Sequence, residues 1–479
     1  MNIIKAKHTS IIIPNYNLGD NLTLEHSLSV WNDSYYRYDN KGFYYNKSTK
    51  ELLLPRGLDL GYLEKVFNLN IDIDFKPDPY ETVSYRLKVE PRNDIQRKSI
   101  CFLIGEDDFS YTKKYSQLAL NLGTGDGKTY TVIASLSFIR TKAIIFTHVN
   151  ELKKQWIKEI KKFTDVIDSQ ICNISGGATI KKILKSDKLP YKIYLVNHRT
   201  INNYGETHGW DKVTELFQKI KVGVKVYDEA HFEFDNIIKT DLHTNTKKTI
   251  YLTANFERSD FKENKLFNLC FKNIAKYGVE TRHEKRKHIV YLGLLFNSKP
   301  DIVNQASIKK RHGFDKNTYI DYQIKKGKIF DVLFYIMYYF HDKEGKMLVL
   351  SSKIESTEVI AKYLKEEFPE KTVGVFNSTI SESDKIKALQ CDIISSTPKS
   401  LGTGLDIPDL RFIIMTEPYS SSITANQTSG RLRELSPEIY TFFIELVDTG
   451  FNKVHSMYKS RMKIFKQKCA KLVQLKYTE

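Results

Sequence analysis

From about residue 89 onward, short apolar runs alternate with longer stretches whose apolar positions recur every three or four residues. A parallel sheet produces this alternation: strands buried on both faces read as continuous apolar runs, and the helices covering those faces read as amphipathic. The pattern predicts strands over 117–122, 143–148, 191–197, 222–228 and 249–254, with a helical stretch over 130–139. A second series follows over 288–296, 346–352, 372–377, 391–397, 411–417 and 440–448. Two similar α/β lobes in tandem are the expected architecture. The basic stretch 282–288 between them reads as a solvated linker before it reads as a nucleic-acid contact.

Both ends of the chain depart from this pattern. Near the N-terminus, Trp31, Tyr35, Tyr36, Tyr38, Phe43, Tyr44 and Tyr45 crowd together, followed by a short apolar run from Glu51 to Gly57 and a predicted helix over 59–67. A small α+β accessory domain fits this stretch. Its aromatic rings suit the core of a small sheet or, less commonly, a platform on which bases stack. At the other end, Tyr458, Met462, Phe465, Cys469 and Leu472 fall at spacings of four and three, one stripe of a helix. Residues 453–476 carry eight Lys or Arg and no acid, so the expected helix packs its stripe on the second lobe and turns a basic face to water or to DNA backbone. The expected domains are 1–88, 89–287 and 288–479.

Composition narrows the class. A chain of 479 residues is too long for one compact core and suggests about three domains. Its 41% hydrophobic content excludes a largely disordered protein. No apolar run approaches the roughly 18–20 residues that cross a bilayer, and the N-terminus has no signal-peptide core, so cytoplasmic residence without membrane association is expected. The five cysteines are scattered and form no metal or disulfide pattern. The net charge of +17 favours a polyanionic partner, although a lysine-rich compositional bias reads equally well from the same number.

Three short motifs carry the chemistry. Leu122-Gly-Thr-Gly-Asp-Gly-Lys-Thr129 stands between a predicted strand and a predicted helix, the context of a phosphate loop. Glycines there let backbone N–H groups point at phosphate oxygens, and the helix N-terminus favours negative charge. Leu122 stands where the strict pattern has glycine, and Gly123 and Gly125 supply the turn. Lys128 is expected on the β- and γ-phosphates and Thr129 on Mg²⁺. A buried-strand candidate then ends in Asp228-Glu229-Ala230-His231. A carboxylate at such a tip suits magnesium, so Asp228 is the metal-side candidate and Glu229 the base that polarises water. Finally, Gln427-Thr-Ser-Gly-Arg431-Leu-Arg433 offers Gln427 and two arginines, either of which could neutralise charge on a transferring γ-phosphate.

In this order the motifs resemble those of superfamily 2 helicases carrying a DEAH motif, over about residues 89–465. Residues 91–96 resemble the family's adenine-reading glutamine segment, 144–156 its motif Ia and 252–255 its coupling motif. Residues 348–352 resemble motif IV, and 396–406 resemble motif V. Two departures stand out: Glu434 occupies the family's second arginine position, with Arg433 beside it, and Asn255 replaces the usual Thr or Ser. The compact size and the Leu-Leu-Leu-Pro-Arg-Gly-Leu stretch resemble phage branch-migration DNA helicases of the UvsW type.

The resemblance implies two tandem RecA-like parallel-sheet lobes with the small α+β N-terminal domain, which would recognise DNA. It implies ATP and Mg²⁺ as cofactors, held by Gln96, Gly123, Thr124, Gly125, Asp126, Gly127, Lys128, Thr129, Gly404 and Asp406. Coupling falls to His231, Thr253, Ala254 and Asn255, and DNA contact to Thr147, His148, Asn197, His198, Ser351, Ser352, Thr397 and Lys399. The implied activity is ATP-dependent remodelling of forked or four-way DNA in phage recombination, repair or replication, inside the host cytoplasm. Replication or recombination proteins are possible partners and a monomer is compatible. An RNA helicase, a duplex translocase that separates no strands, and a non-enzymatic nucleic-acid binder are the alternatives.

Overall fold

The structure, a computed structural model, describes residues 3–32, 36–74, 76–123, 126–253, 261–278, 286–310, 313–401, 407–418 and 428–477. The chain divides into two compact units, Met1–Glu280 and Thr281–Glu479. Among the described residues no helix is long and apolar enough to cross a membrane.

The first unit begins with strands β1 (Ile4–Ala6), β2 (Ser10–Ile13), β3 (Ser29–Asn32), β4 (Arg37–Asn40), β5 (Tyr44–Asn46), β6 (Glu51–Pro55) and β7 (Ile71–Ile73). Five of them form a mixed sheet in the order β5-β6-β2-β1-β7, while β3 and β4 pair as a separate hairpin. Helix α1 is Leu22–Ser27, and α2, Leu60–Phe67, is capped by the Asp59 side chain. The two readings of the aromatic cluster divide between its members. Phe43 is buried, and Tyr44 and Tyr45 pack against the core, whereas Trp31, Tyr36 and Tyr38 on the hairpin are exposed. Tyr35 lies outside the described residues.

A seven-stranded sheet follows in the first unit: β8 (Gln117–Asn121), β9 (Ala143–Thr147), β10 (Ile171–Ile174), β11 (Ile193–Asn197), β12 (Val224–Tyr227), β13 (Lys248–Thr253) and β14 (Ala275–Gly278). All its pairings are parallel, in the order β10-β11-β9-β12-β13-β8-β14. One face packs Leu118, Leu120, Ile145, Val226 and Leu252 against helical residues such as Val132, Trp156 and Ile160. The other face, with Ile144, Phe146, Tyr227 and Tyr251, shares a continuous core with Ile11, Leu52 and Leu54 of the N-terminal sheet. Gly57, which closes the apolar run after β6, lies so close to the Cys270 carbonyl that a Cβ there would sit 2.2 Å from its oxygen.

The second unit repeats the plan with β15 (Arg286–Phe296), a short hairpin of β16 (Lys309–Lys310) and β17 (Gly313–Phe314), then β18 (Lys346–Leu350), β19 (Val373–Phe376), β20 (Ile393–Ser396), β21 (Leu410–Met415), β22 (Thr441–Asp448) and β23 (Cys469–Lys476). Its large sheet is also wholly parallel, in the order β19-β20-β18-β21-β22-β15-β23. All eleven predicted strands of the two sheets are present, with ends within about two residues of those expected. Of the predicted linker, residues 282–285 lie outside the described residues and the remainder begins β15.

The C-terminal expectation needs correction. The helix ends at Lys468, and Cys469–Lys476 is β23, paired in parallel with β15 through Val290↔Lys471 and Leu294↔Leu475. Met462 and Phe465 belong to the helix, whereas Cys469 and Leu472 lie on the strand. The expected basic face also loses a member. Arg461 is 5% exposed, and its guanidinium donates to Glu445 in the core, where Tyr291 donates to the same carboxylate.

Candidate active site

The phosphate loop connects β8 to helix α4 (Lys128–Ile139), and Gly127 at the helix start has φ +84°, a left-handed conformation that favours glycine. A Cβ at Gly127 would meet Gln96 Nε2 at 2.1 Å, so the glycine also admits the glutamine side chain against the loop. Gln96 stands in α3 (Asp94–Ile104), capped by Asn93. Its amide donates to the Asp126 carbonyl at 3.3 Å, and its Oε1 accepts from the Arg92 N–H at 3.0 Å. Gln96 thus meets the loop that carries Gly123, Asp126 and Gly127 and leads into Lys128 and Thr129. Thr124 and Gly125 lie outside the described residues.

At the tip of β12, Asp228 and Glu229 are 8% and 9% exposed. The main chain is pinned on both sides: Asp228 N–H donates to Phe146 and Ala230 N–H to Leu252. Between them Glu229 takes φ +49°, a strained value for a side-chain-bearing residue of the kind found at functional sites. Lys128 Nζ donates to the Leu122 carbonyl at 3.2 Å and lies 3.7 Å from Glu229 Oε1. Burial pushes both carboxyls up. At Asp228 the neighbouring Glu229 charge adds to that and the pKa reaches about 6. At Glu229 the Lys128 ammonium, with His231 and His148, outweighs burial and holds the group below the usual range.

His231 Nδ1 lies 2.9 Å from Thr253 Oγ1 and 3.4 Å from Glu229 Oε2. One imidazole nitrogen therefore stands near both the hydroxyl at the end of β13, to which it is hydrogen-bonded, and the carboxylate at the end of β12. Ala254 and Asn255 lie outside the described residues. Glu229 Oε2 is buried without a hydrogen-bond donor, which suits an acceptor for a water proton. The oxygen donors Thr129 and Asp228 beside a phosphate loop suit magnesium.

Trp156 closes the segment that resembles motif Ia and is absent from the expected contacts. It lies on helix α5 (Asn150–Phe163), and its indole N–H donates to Asp228 Oδ2 at 2.8 Å across 72 residues of sequence. Nothing in the sequence pattern points to the bond.

The expected DNA contacts of the first unit separate by burial. Thr147 is buried, bonded to Asn197 at 2.9 Å, and Asn197 reaches Asn150 at 2.7 Å. His148 and Asn197 retain solvent access. His198 corrects the expectation: it is 1% exposed, stacked on Tyr227 and packed against Phe146, and burial drives its pKa down to about 3. A neutral, enclosed imidazole cannot contact a phosphate backbone from this position.

In the second unit, Ser351 and Ser352 follow β18, and Thr397 follows β20. Ser351 and Thr397 are buried, whereas Ser352 is half-buried and Lys399 exposed. Arg431 is half-buried and Arg433 exposed, after a short turn in which Arg431 N–H donates to the Thr428 carbonyl. Gln427, Gly404 and Asp406 lie outside the described residues.

Comparison with known proteins agrees with this arrangement. Residues 88–258 match the family model of the type III restriction enzyme res subunit, and residues 328–434 match the helicase conserved C-terminal domain. The chain is 22% identical over 370 residues to a putative ATP-dependent RNA helicase of Acanthamoeba polyphaga mimivirus, covering 73% of this chain and 63% of that protein. It is 27% identical over 145 residues to the putative DNA 3′-5′ helicase Rad25 of Haloarcula marismortui, covering 30% and 21%. The chain therefore spans less than two thirds of each of these relatives. Among solved structures, S. cerevisiae Dbp5 bound to RNA and ADP BeF3 is similar in fold, with TM-score 0.56 and 15% identity over 80% of this chain and 89% of that one. The expected fold, two tandem RecA-like lobes with a small N-terminal sheet domain, is the observed one.

Proposed function

We propose that this chain is a superfamily 2 helicase that uses ATP hydrolysis to remodel branched DNA, such as forks and four-way junctions. The observation that carries the hydrolytic half is the convergence of Lys128, Asp228 and Glu229 at one sheet edge, with a buried, donor-free oxygen on Glu229. Lys128 would bind the β- and γ-phosphates. Thr129 and Asp228 would hold magnesium, which when bound neutralises phosphate charge. Glu229 would accept the proton of the attacking water, and Arg431 or Arg433 would meet the charge that develops on the γ-phosphate. His231 and Thr253 would pass the state of this site to the segment after β13. His148, Asn197, Ser352 and Lys399 are the candidate contacts with the polymer that keep solvent access.

Several features support DNA as the polymer. The net charge is +17, the segment Leu-Leu-Leu-Pro-Arg-Gly-Leu resembles that of phage branch-migration helicases, and the haloarchaeal relative is named a DNA helicase. The mimivirus relative, matched over more of the chain, is named an RNA helicase and favours RNA as the second reading. Steady-state ATP hydrolysis should be measured without polymer and with single-stranded DNA, duplex, a four-way junction and RNA. Strongest stimulation by the junction is the expected result, and equal or stronger stimulation by RNA would assign the chain to the second reading. An affinity for DNA that falls steeply between about 50 and 200 mM salt is also expected, because phosphate contacts release counterions.

A further inference from the structure

We propose that Trp156 is a positioning residue that fixes the orientation of the Asp228 carboxylate, and so sets how readily the site takes magnesium. The inference rests on the reading of Asp228 as the metal-side residue and names a residue that the reading itself does not use.

The main chain of Asp228 is already held. Its N–H donates to the Phe146 carbonyl at 2.9 Å, and two residues on Ala230 N–H donates to Leu252 at 2.8 Å. What remains free is rotation of the carboxylate about its side-chain bonds. The indole N–H of Trp156 restricts that rotation by donating to Oδ2 at 2.8 Å, in a site where Asp228 is 8% and Trp156 1% exposed. Phe146 lies on β9 and Trp156 on α5, the helix that follows that strand, so one strand–helix unit grips Asp228 by both main chain and side chain.

The chemistry of the donor matters as much as its position. Lysine or arginine here would bring a positive charge that opposes a divalent cation at the same carboxylate. Indole has one N–H, no acceptor and no charge. It fixes one oxygen and leaves the negative charge of the carboxylate for the metal. Trp156 itself is locked among Val132, Ile160 and Val226, so the donor has little freedom to follow a rotating carboxylate. Hydrogen-bond partners that orient metal ligands typically contribute tenfold to a hundredfold in metal affinity.

The test replaces Trp156 by phenylalanine and, separately, by 3-benzothienylalanine, an isostere with sulfur in place of N–H that preserves ring shape. Binding of fluorescent ADP is titrated against Mg²⁺ and repeated in EDTA, with thermal unfolding of each protein measured alongside. Both variants should need roughly tenfold more Mg²⁺, or more, for half-maximal magnesium-dependent binding. Affinity in EDTA and the unfolding temperature of the isostere should match wild type. An isostere with the wild-type magnesium requirement would overturn the proposal, whether or not the phenylalanine variant folds. Wild-type protein that binds the nucleotide with no magnesium dependence would overturn the reading of Asp228 along with it. Loss of hydrolysis in Lys128→Ala tests the nucleotide site separately.

Discussion

In the first unit the fourth strand of seven across the sheet, β12, ends in Asp228 and Glu229; in the second unit the strand in the same place, β21, ends in Thr416 and Glu417. Glu417 is 2% exposed, and its oxygens accept from the Ser352 N–H and the Thr416 hydroxyl. Glu229 Oε2 has no such donor, and Asp228 takes its side-chain bond from an uncharged indole. The sixth strands differ in the same way. After β8 comes the phosphate loop, whereas after β15 Ser298 ties the chain to Asp448 at the end of β22, through both its N–H and its hydroxyl. One frame therefore carries two kinds of carboxylate. Those of the second unit are bonded internally, while Glu229 of the first keeps a buried oxygen without a donor, the kind of exception that calls for a functional explanation.

The sharpest way to break this comparison is Lys128→Ala, which should lower ATP hydrolysis by on the order of 10³-fold and weaken nucleotide binding while leaving the fold intact. Wild-type turnover would mean the first unit's strand tips are not the hydrolytic site. Next in size, Arg461→Ala in the second unit should destabilise by about 3–5 kcal/mol, because it strands the buried Glu445 charge. Chemical denaturation followed by circular dichroism would measure it, and a loss under about 1 kcal/mol would show that the pair is not structural.

Asp228→Asn should separate stability from function. Burial and the adjacent Glu229 raise the Asp228 pKa to about 6, above its unfolded value. Folding is then favoured while the group is protonated, and that advantage is lost as pH rises from the ordinary carboxylate range through about 6. The asparagine variant should therefore gain stability at pH 8, by at most about 3 kcal/mol, and lose hydrolysis. A ligand-free protein with no such gain, measured by thermal unfolding at pH 5 and pH 8, would count against the strained-site account. The smallest effect is expected for Glu417→Gln, whose burial already favours the neutral form. It should change stability by less than about 1 kcal/mol and leave nucleotide affinity unchanged in a direct titration.

Central strands were legible because they are buried on both faces and read as unbroken apolar runs; Lys225, inside Val-Lys-Val-Tyr, is a charge that the run absorbs by pairing with Asp241. Three edge strands were missed, β10, β14 and β23, and the last two occupy the same place in the two sheets. An edge strand is only half covered: Ala275-Lys-Tyr-Gly278 shows no apolar run, and the alternation in Cys469–Lys476 also fits a helical stripe. The candidate nucleotide-site residues could be named from the sequence because each motif is local. The Trp156–Asp228 bond spans 72 residues and leaves no periodic trace, and the burial of His198 follows from packing between Phe146 and Tyr227 that no spacing announces.

The most direct test of the central claim, that Glu229 performs the chemistry at a site Lys128 and Asp228 assemble, is nucleotide binding and hydrolysis measured on the same preparation of Glu229→Gln. ATP affinity should stay close to wild type while hydrolysis falls by about 10²–10⁴-fold, with and without nucleic acid. Near-wild-type hydrolysis by that variant would contradict the claim.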